Sequence, residues 1–251
     1  MNVLKNIKRL IFKDRFYKKY KLRLFYQHLR TFNELDSEKR FPLHKDDLYP
    51  CLEDNLLETN FDAHYIYHPA WAARIVRQIN PDLHVDISSI LHFCTMLSAF
   101  VKVEFYDYRP AKLTLDNLES GHLDLARLPF SSNSLRSVSC MHTIEHIGLG
   151  RYGDPLDPDG DLKAINELKR ICAINGNLLI VVPVGVKRIQ FNAHRIYNPF
   201  DVVEYMAGFE LRDFSLINDQ DEFIKNAELS VAAKQKYGCG CYWFVKREHL
   251  E

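Results

Sequence analysis

Hydrophobic positions along the chain switch between a period near 3.6 and a period of two, and the switches mark out alternating helices and strands. Residues 1–32 carry Val3, Leu4, Ile7, Leu10 and Ile11 on one stripe, and Phe12, Phe16 and Tyr20 continue at a spacing of four. This predicts an amphipathic helix or pair of helices. Residues 33–67 hold no sustained period and are broken by Pro42 and Pro50, so they read as a connecting or covering segment. Regular alternation begins at His68. Pro69 suits a first helical turn, Trp71, Ile75, Val76 and Ile79 form one face, and Asn80 with Pro81 ends it. Strands are expected at 83–88 and 101–108 around an apolar helix at 90–100, with a short third strand at 123–125 and a fourth at 135–140.

A helix at 161–174 follows, with Leu162, Ile165, Leu168 and Ile171 or Cys172 in one stripe. Residues 177–184 form the strongest strand: positions 178–182 carry no polar side chain, the mark of a strand covered on both faces. A helix at 199–206, a strand at 209–216, a helical stretch at 221–236 and a terminal strand at 241–246 complete the pattern. Five strand–helix alternations predict a three-layer α/β fold with a mostly parallel sheet, one antiparallel edge strand and an N-terminal helical extension. The expected division is an arm and covering segment at 1–64 and an α/β domain at 65–249, with Leu250 and Glu251 as the remnant of a tag.

Composition changes this picture in one place. Lysine plus arginine balance aspartate plus glutamate at 33 each, so no global charge points to nucleic acid. Residues 1–30, however, hold ten basic groups against Asp14 alone, and the other 221 residues carry 23 basic and 32 acidic groups. The basic, aromatic arm is expected to dock on protein, to pair subunits, or to lie on an anionic membrane surface. Four of the six cysteines sit in apolar periodic segments and read as core residues of a protein in a reducing compartment, and no cleavable signal peptide or run of about 20 apolar residues is present. The expected location is cytoplasmic, at the inner face of the membrane if the arm binds lipid.

Chemistry concentrates where the fourth strand ends. His142, Thr143, Glu145, His146, Arg151 and Tyr152 follow the apolar pattern at once, and ligands of open α/β sheets bind beyond the carboxyl ends of their strands. A neutral imidazole at His146 or His194 would serve as general base, with Glu145 orienting the ring; the alternative is a pair of histidines capping a turn. His194 and Arg195 lie in the loop after the next strand and would face the same crevice, Arg195 offering a planar fork to a carboxylate or phosphate. Asp154, Asp157, Asp159 and Asp161 crowd a loop with two prolines and Gly160. They would hold a divalent cation or cap the next helix, although the calcium-loop spacing is absent.

The stretches HTIEHIGLGRYGDPLDPDGDLKAINELKR at 142–170, VPVG at 182–185 and FNAHR at 191–195 resemble an uncharacterised bacterial family with the class I S-adenosylmethionine-dependent methyltransferase fold, associated with surface-glycan pathways. The resemblance covers about residues 65–247. It implies that Asp86 ends the first strand beside the methionine moiety, that Asp107 accepts from the ribose hydroxyls, and that Asp124 meets the adenine amine. It further implies that Met141 and His142 line the cofactor face. The chain departs from the family pattern in the first turn, where Asp86–Ile87–Ser88–Ser89–Ile90 lacks the usual glycines. Ser88 and Ser89 would stand in for them, whereas Ile90 would crowd a cofactor edge. The implied activity is methyl transfer from S-adenosylmethionine to an oxygen or nitrogen of a small-molecule, sugar or glycan-linked acceptor. The alternatives are a metal-dependent hydrolase or transferase built on the histidines and the aspartate loop, and a non-catalytic scaffold that has lost its cofactor.

Overall fold

The computed structural model describes residues 2–248, with side chains from Phe16 onward. The apolar stripe of the first eleven residues and the Leu250–Glu251 pair therefore lie outside the described side chains. The chain divides into two compact units, residues 1–60 and 61–251. The first is built on helix α1 (Asn2–Leu35), followed by a 3-10 turn at Lys45–Asp47. Phe16, Tyr20 and Tyr26 are exposed along α1, among Lys19, Arg23 and Arg30. Among the described residues no helix is long and apolar enough to cross a membrane.

The second unit opens with α2 (Ala63–Ile79), capped by the Asp62 carboxylate, which accepts from the Tyr65 amide at 3.3 Å. The helix thus begins six residues before Pro69. Pro69 sits inside it, and it supplies no amide to the carbonyl four residues earlier. The elements that follow are β1 (Leu83–Ile87), α3 (Leu91–Leu97), β2 (Lys102–Asp107), β3 (Leu118–His122), β4 (Leu135–Met141) and α4 (Gly160–Ile171). After them come β5 (Cys172–Val184), the hairpin β6 (Arg188–Gln190) and β7 (His194–Ile196), α5 (Pro199–Tyr205), β8 (Phe209–Ile217), β9 (Phe223–Ile224), α6 (Leu229–Ala232) and β10 (Gly238–Lys246).

Two expected elements differ. The third strand is 118–122, not 123–125: it is an edge strand of mostly polar residues, while the apolar Leu123 and Leu125 are buried in the turn beyond it. The helical stretch at 221–236 reduces to β9 and the single turn of α6, because Asp221 and Asn226 adopt left-handed φ values of 62° and 48° that a helix does not admit.

The main sheet runs β3-β2-β1-β4-β5-β10-β8-β9. The first five strands are parallel, and the outermost strand β9 is antiparallel to β8, so the edge is antiparallel as expected. A second antiparallel strand, β10, inserts between β5 and β8. Strand β5 serves both layers: Leu178, Ile180 and Val182 pack in one core with Ile165, Leu168 and Phe244, and Leu179 and Val181 pack in the other with Trp71, Phe93 and Phe105. Each such side chain stabilises by about 1.5–3 kcal/mol on burial. Strand order reverses at β1, which pairs with β2 on one side and β4 on the other. That reversal opens a crevice at the carboxyl ends of β1 and β4.

Candidate active site

The exit of β1 is held by a buried chain of polar groups. The Ser139 hydroxyl donates to the Asp86 carboxylate, and the two nitrogens of His84 meet Ser139 Oγ at 2.9 Å and Ser137 Oγ at 2.8 Å. Asp86 also accepts from the Ser89 amide at 3.1 Å. Burial raises the Asp86 carboxyl to about 6 against the lowering effect of Ser139 and Ser89, and burial lowers His84 to about 3. Asp86 is fully buried and bonds inward, so it anchors the turn and does not face a methionine moiety. This corrects the role implied by the family resemblance.

The turn itself has no glycine, and the backbone compensates. Ser88 adopts φ 58°, the left-handed conformation that glycine usually supplies, and His142 does the same at φ 53°. Both are pinned: the Ser88 amide donates to Tyr106 O at 2.7 Å, the Thr143 hydroxyl donates to Ser88 O at 2.8 Å, and the His142 amide donates to Val181 O at 2.8 Å. Ile90 packs against the core on the α2 side. Met141 is buried in that same core and also borders the crevice beside His142.

Past β4, Glu145 is 1% exposed and bonds His142 Nδ1 at 2.9 Å, while its nearer oxygen lies 3.8 Å from His146 Nε2. Glu145 therefore orients His142 first and reaches His146 only as a neighbouring charge. The His146 ring is fixed from its other side, Nδ1 standing 2.6 Å from Ala193 O. A carbonyl only accepts, so that nitrogen carries the proton and Nε2 the lone pair. His194 faces His146 with ring centroids 6.3 Å apart and bonds Gln190 Oε1 at 2.6 Å; burial, foremost, lowers its pKa. Tyr152 meets the His146 ring edge-on at 5.6 Å, with the Arg109 guanidinium 4.6 Å from its own centroid.

The aspartate loop is bound to itself. Asp154 accepts from the amides of Gly148, Tyr152 and Gly150 at 2.8, 3.1 and 3.3 Å. Burial opposes its ionisation, yet these backbone donors hold the carboxyl below its usual range. Gly148 has φ 80°, and a side chain there would collide with the Asp157 carbonyl. Asp157 pairs with Lys163 at 2.5 Å, and Asp161 accepts from Tyr197 Oη at 2.9 Å. Each carboxylate is thus taken up by its own partner, and among the described residues they form no cluster with metal-ligand spacing. Arg195 is also corrected. It is 6% exposed, and its guanidinium donates to the carbonyls of Ile147, Pro158, Glu145 and Asp157 at 2.6, 3.1, 3.4 and 3.4 Å, beside Asp161 at 3.5 Å. Its fork ties the loop down and does not offer itself to an acceptor.

Two cavities open on this crevice. One, of about 250 Å³, is lined by Asp107, Asp124, Leu125, Thr143 and Asp154, at the ends of β2 and β4 and the turn after β3. Asp107 and Asp124 cap their own turns, accepting from the Arg109 amide at 2.7 Å and the Ala126 amide at 2.9 Å, and so stand at the cavity wall. The second cavity, of about 450 Å³, is lined by Tyr65, Glu145, Arg151, His194 and Tyr237. Ser88, His142, His146 and Tyr152 line both. Of the residues brought here, Tyr65, Tyr237 and His64 were not singled out in the sequence, whereas Arg151 was. All come from α2, the strand-β10 entrance and the glycine loop, and only the tertiary fold brings them together. The DPLDPDGD composition pointed to the loop but not to its self-contained bonding.

The chain matches the family described as Caenorhabditis protein of unknown function, DUF268, over residues 128–241, less than half of its length. No curated protein matches it. Among solved structures it is similar to the YcgJ protein from Bacillus subtilis, with 12% identity, a TM-score of 0.51, and 72% of this chain and 100% of that one covered. It is also similar to the 1,6-didemethyltoxoflavin-N1-methyltransferase of Burkholderia thailandensis, solved with bound 1,6-didemethyltoxoflavin and S-adenosylhomocysteine. There the identity is 10%, the TM-score 0.51, and the coverage 72% of this chain and 79% of that one. At these identities the likeness concerns architecture, and the architecture is the Rossmann-like α/β fold of the class I methyltransferases, with its mostly parallel sheet and antiparallel edge.

Proposed function

We propose that the protein is an S-adenosylmethionine-dependent methyltransferase acting on an oxygen or nitrogen of a small polar acceptor, of which a sugar or sugar-linked molecule is the best-suited class. The observation that carries this reading is the pair of cavities sharing the wall Ser88–His142–His146–Tyr152. A group transfer requires two ligands meeting at one point, and two adjoining cavities with a common wall supply that arrangement. The residues of the smaller cavity fit the cofactor: Asp107 and Asp124 offer carboxylates to a ribose diol and an exocyclic amine, which are hydrogen-bond donors. When bound, S-adenosylmethionine supplies an electrophilic methyl group on a sulfonium.

The protein's part is alignment and proton removal. Ser88 and His142, held at strained backbone angles by three backbone contacts, keep the shared wall fixed. His146 Nε2 takes the proton of an acceptor hydroxyl as the new bond forms, and the buried Glu145 carboxylate 3.8 Å away stabilises the imidazolium. Tyr65, Tyr152 and Tyr237 offer aromatic faces, and Arg151 and His194 offer polar edges, a combination that suits a polyhydroxylated ring. The N-terminal arm is read as a peripheral contact with anionic lipid or a second subunit. Calorimetry with S-adenosylmethionine and S-adenosylhomocysteine tests the proposal. Saturable heat with both is expected, and no heat with either at about millimolar ligand, a concentration that detects even weak binding, would refute it.

A further inference from the structure

Behind the shared wall, side chains from three separate elements converge. His64 comes from the first turn of α2, His142 from the end of β4 and Cys239 from the start of β10, and all three are buried. One ligand atom from each lies within 4.8 Å of the others. His142 Nε2 is 3.3 Å from Cys239 Sγ. With nitrogen and sulfur at about 2.0 and 2.3 Å from a tetrahedral zinc ion, the N···S edge measures about 3.5 Å, so this pair already has the required spacing.

The outer contacts are those of a metal ligand. His142 Nδ1 meets the Glu145 carboxylate at 2.9 Å, which fixes the ring and leaves Nε2 with the lone pair that faces the sulfur. A carboxylate–histidine–metal relay has this form. The surroundings also hold unused polar capacity. Glu145 Oε2 and His68 Nε2 are buried without a hydrogen-bond partner, and the His68 ring lies 5.0 Å from that of His142. Tyr237 and His142 flank the His64 ring at 5.3 and 5.7 Å and close the cluster on two sides.

We infer that His64, His142 and Cys239 form a binding site for one borderline-soft divalent transition metal, with zinc the best match to the donor set. Two imidazoles and a thiolate make three protein ligands, which leaves a fourth position, and His142 itself lines the larger cavity. Ligation displaces the thiol proton of Cys239 to solvent, so one proton is released per ion bound by that group. The site is separate from the aspartate loop, whose carboxylates are taken up by loop amides, Lys163 and Tyr197. Its existence is read without any methyl donor, so it stands or falls apart from the proposed transfer reaction.

The test uses the full chain, purified without a chelator and without a histidine tag. Elemental analysis and titration with Zn²⁺ should give about one equivalent, and Co²⁺ should produce a sulfur-to-cobalt charge-transfer band in the near ultraviolet together with visible bands of tetrahedral intensity. Cys239→Ser should remove the charge-transfer band, whereas Cys241→Ala, on the same strand but outside the cluster, should keep it. Glu145→Gln should weaken Zn²⁺ binding about 10–100-fold while the ligands remain. Circular dichroism checks that each variant is folded. Absence of stoichiometric uptake by folded protein, or a charge-transfer band that survives Cys239→Ser, overturns the assignment. Loss of the band in Cys241→Ala with retention in Cys239→Ser would also overturn it.

Discussion

Asp86 gives the sharpest quantitative test of how the first turn is held. Its carboxyl is raised from 3.8 to about 6, with burial as the largest cause, and it is fully buried. At about 1.4 kcal/mol per pH unit, ionised Asp86 makes the folded state about 3 kcal/mol less stable than the protonated form would. Below about pH 4 the group is protonated folded or unfolded and contributes nothing to the difference. As pH rises through 4 to 6 the unfolded chain gives up the proton while the folded one retains it, so stability falls, and above about 6 the full loss is present. Asp86→Asn removes this slope. The amide can accept from the Ser89 backbone and donate to Ser139 Oγ, provided the His84 proton moves between its ring nitrogens so that the chain to Ser137 reverses direction. His84, lowered to about 3, destabilises the fold as pH falls from 6.5, but it does so in both proteins and cancels on comparison. Urea unfolding at pH 4 and pH 7 should therefore show the variant gaining about 2 kcal/mol relative to the native sequence between the two values, since the unfolded carboxyl is already partly ionised at pH 4. A difference unchanged within about 1 kcal/mol across that range would mean that Asp86 is already solvated or ion-paired, and the reasoning would fail.

Asp107→Asn should weaken S-adenosylhomocysteine binding about 10- to 100-fold by calorimetry, the worth of hydrogen bonds to a charged acceptor, with little change in unfolding midpoint. An unaltered affinity would remove Asp107 from the cofactor wall. His146→Gln should lower kcat by about 10²–10⁴ for a hydroxyl acceptor while the cofactor dissociation constant stays within a few-fold. Equal kcat values across the neutral pH range would show that another group takes the proton. Full-length protein should sediment with anionic liposomes at low salt and be released as salt rises, each basic residue near the surface contributing about 1 kcal/mol. Equal pelleting by a variant lacking residues 1–30, or none by either, would refute a lipid-binding arm.

The layers of the fold were legible because burial writes itself into the sequence as period. The two-sided strand β5 shows it best: Leu178, Ile180 and Val182 face one core and Leu179 and Val181 the other, so the segment reads as unbroken apolar. Strand β3 was misplaced for the opposite reason. Its Glu119, Ser120 and His122 lie at a sheet edge where polar residues satisfy the fold, and the nearby Leu123 and Leu125 gave a stronger but irrelevant signal. The region 221–236 misled because helix-compatible composition does not record two left-handed residues.

The candidate site shows a different limit. Residue types at the end of β4 pointed to the place where the two cavities open, yet a side chain's chemistry depends on what already occupies its donors and acceptors. Arg195 looks like an anion fork until four backbone carbonyls are found in it, and Asp86 looks like a ligand until Ser139 and the Ser89 amide are found on it. Apart from the Ser89 amide, three residues along from Asp86, these are long-range pairings, and no spacing in the chain encodes them. The same fact explains why His64, 78 residues before His142 and 175 before Cys239, carries no local signal although it shares their pocket. Polar groups with every partner supplied by the protein hold the frame. The shared wall differs, with an imidazole lone pair at His146 Nε2 beside two cavities and an unpaired oxygen at Glu145. Buried polar atoms left without partners are destabilising by about 1–3 kcal/mol each, and a fold keeps them where a ligand or ion completes the set. That unmet demand, more than any motif, supports placing the proposed chemistry at the end of β4.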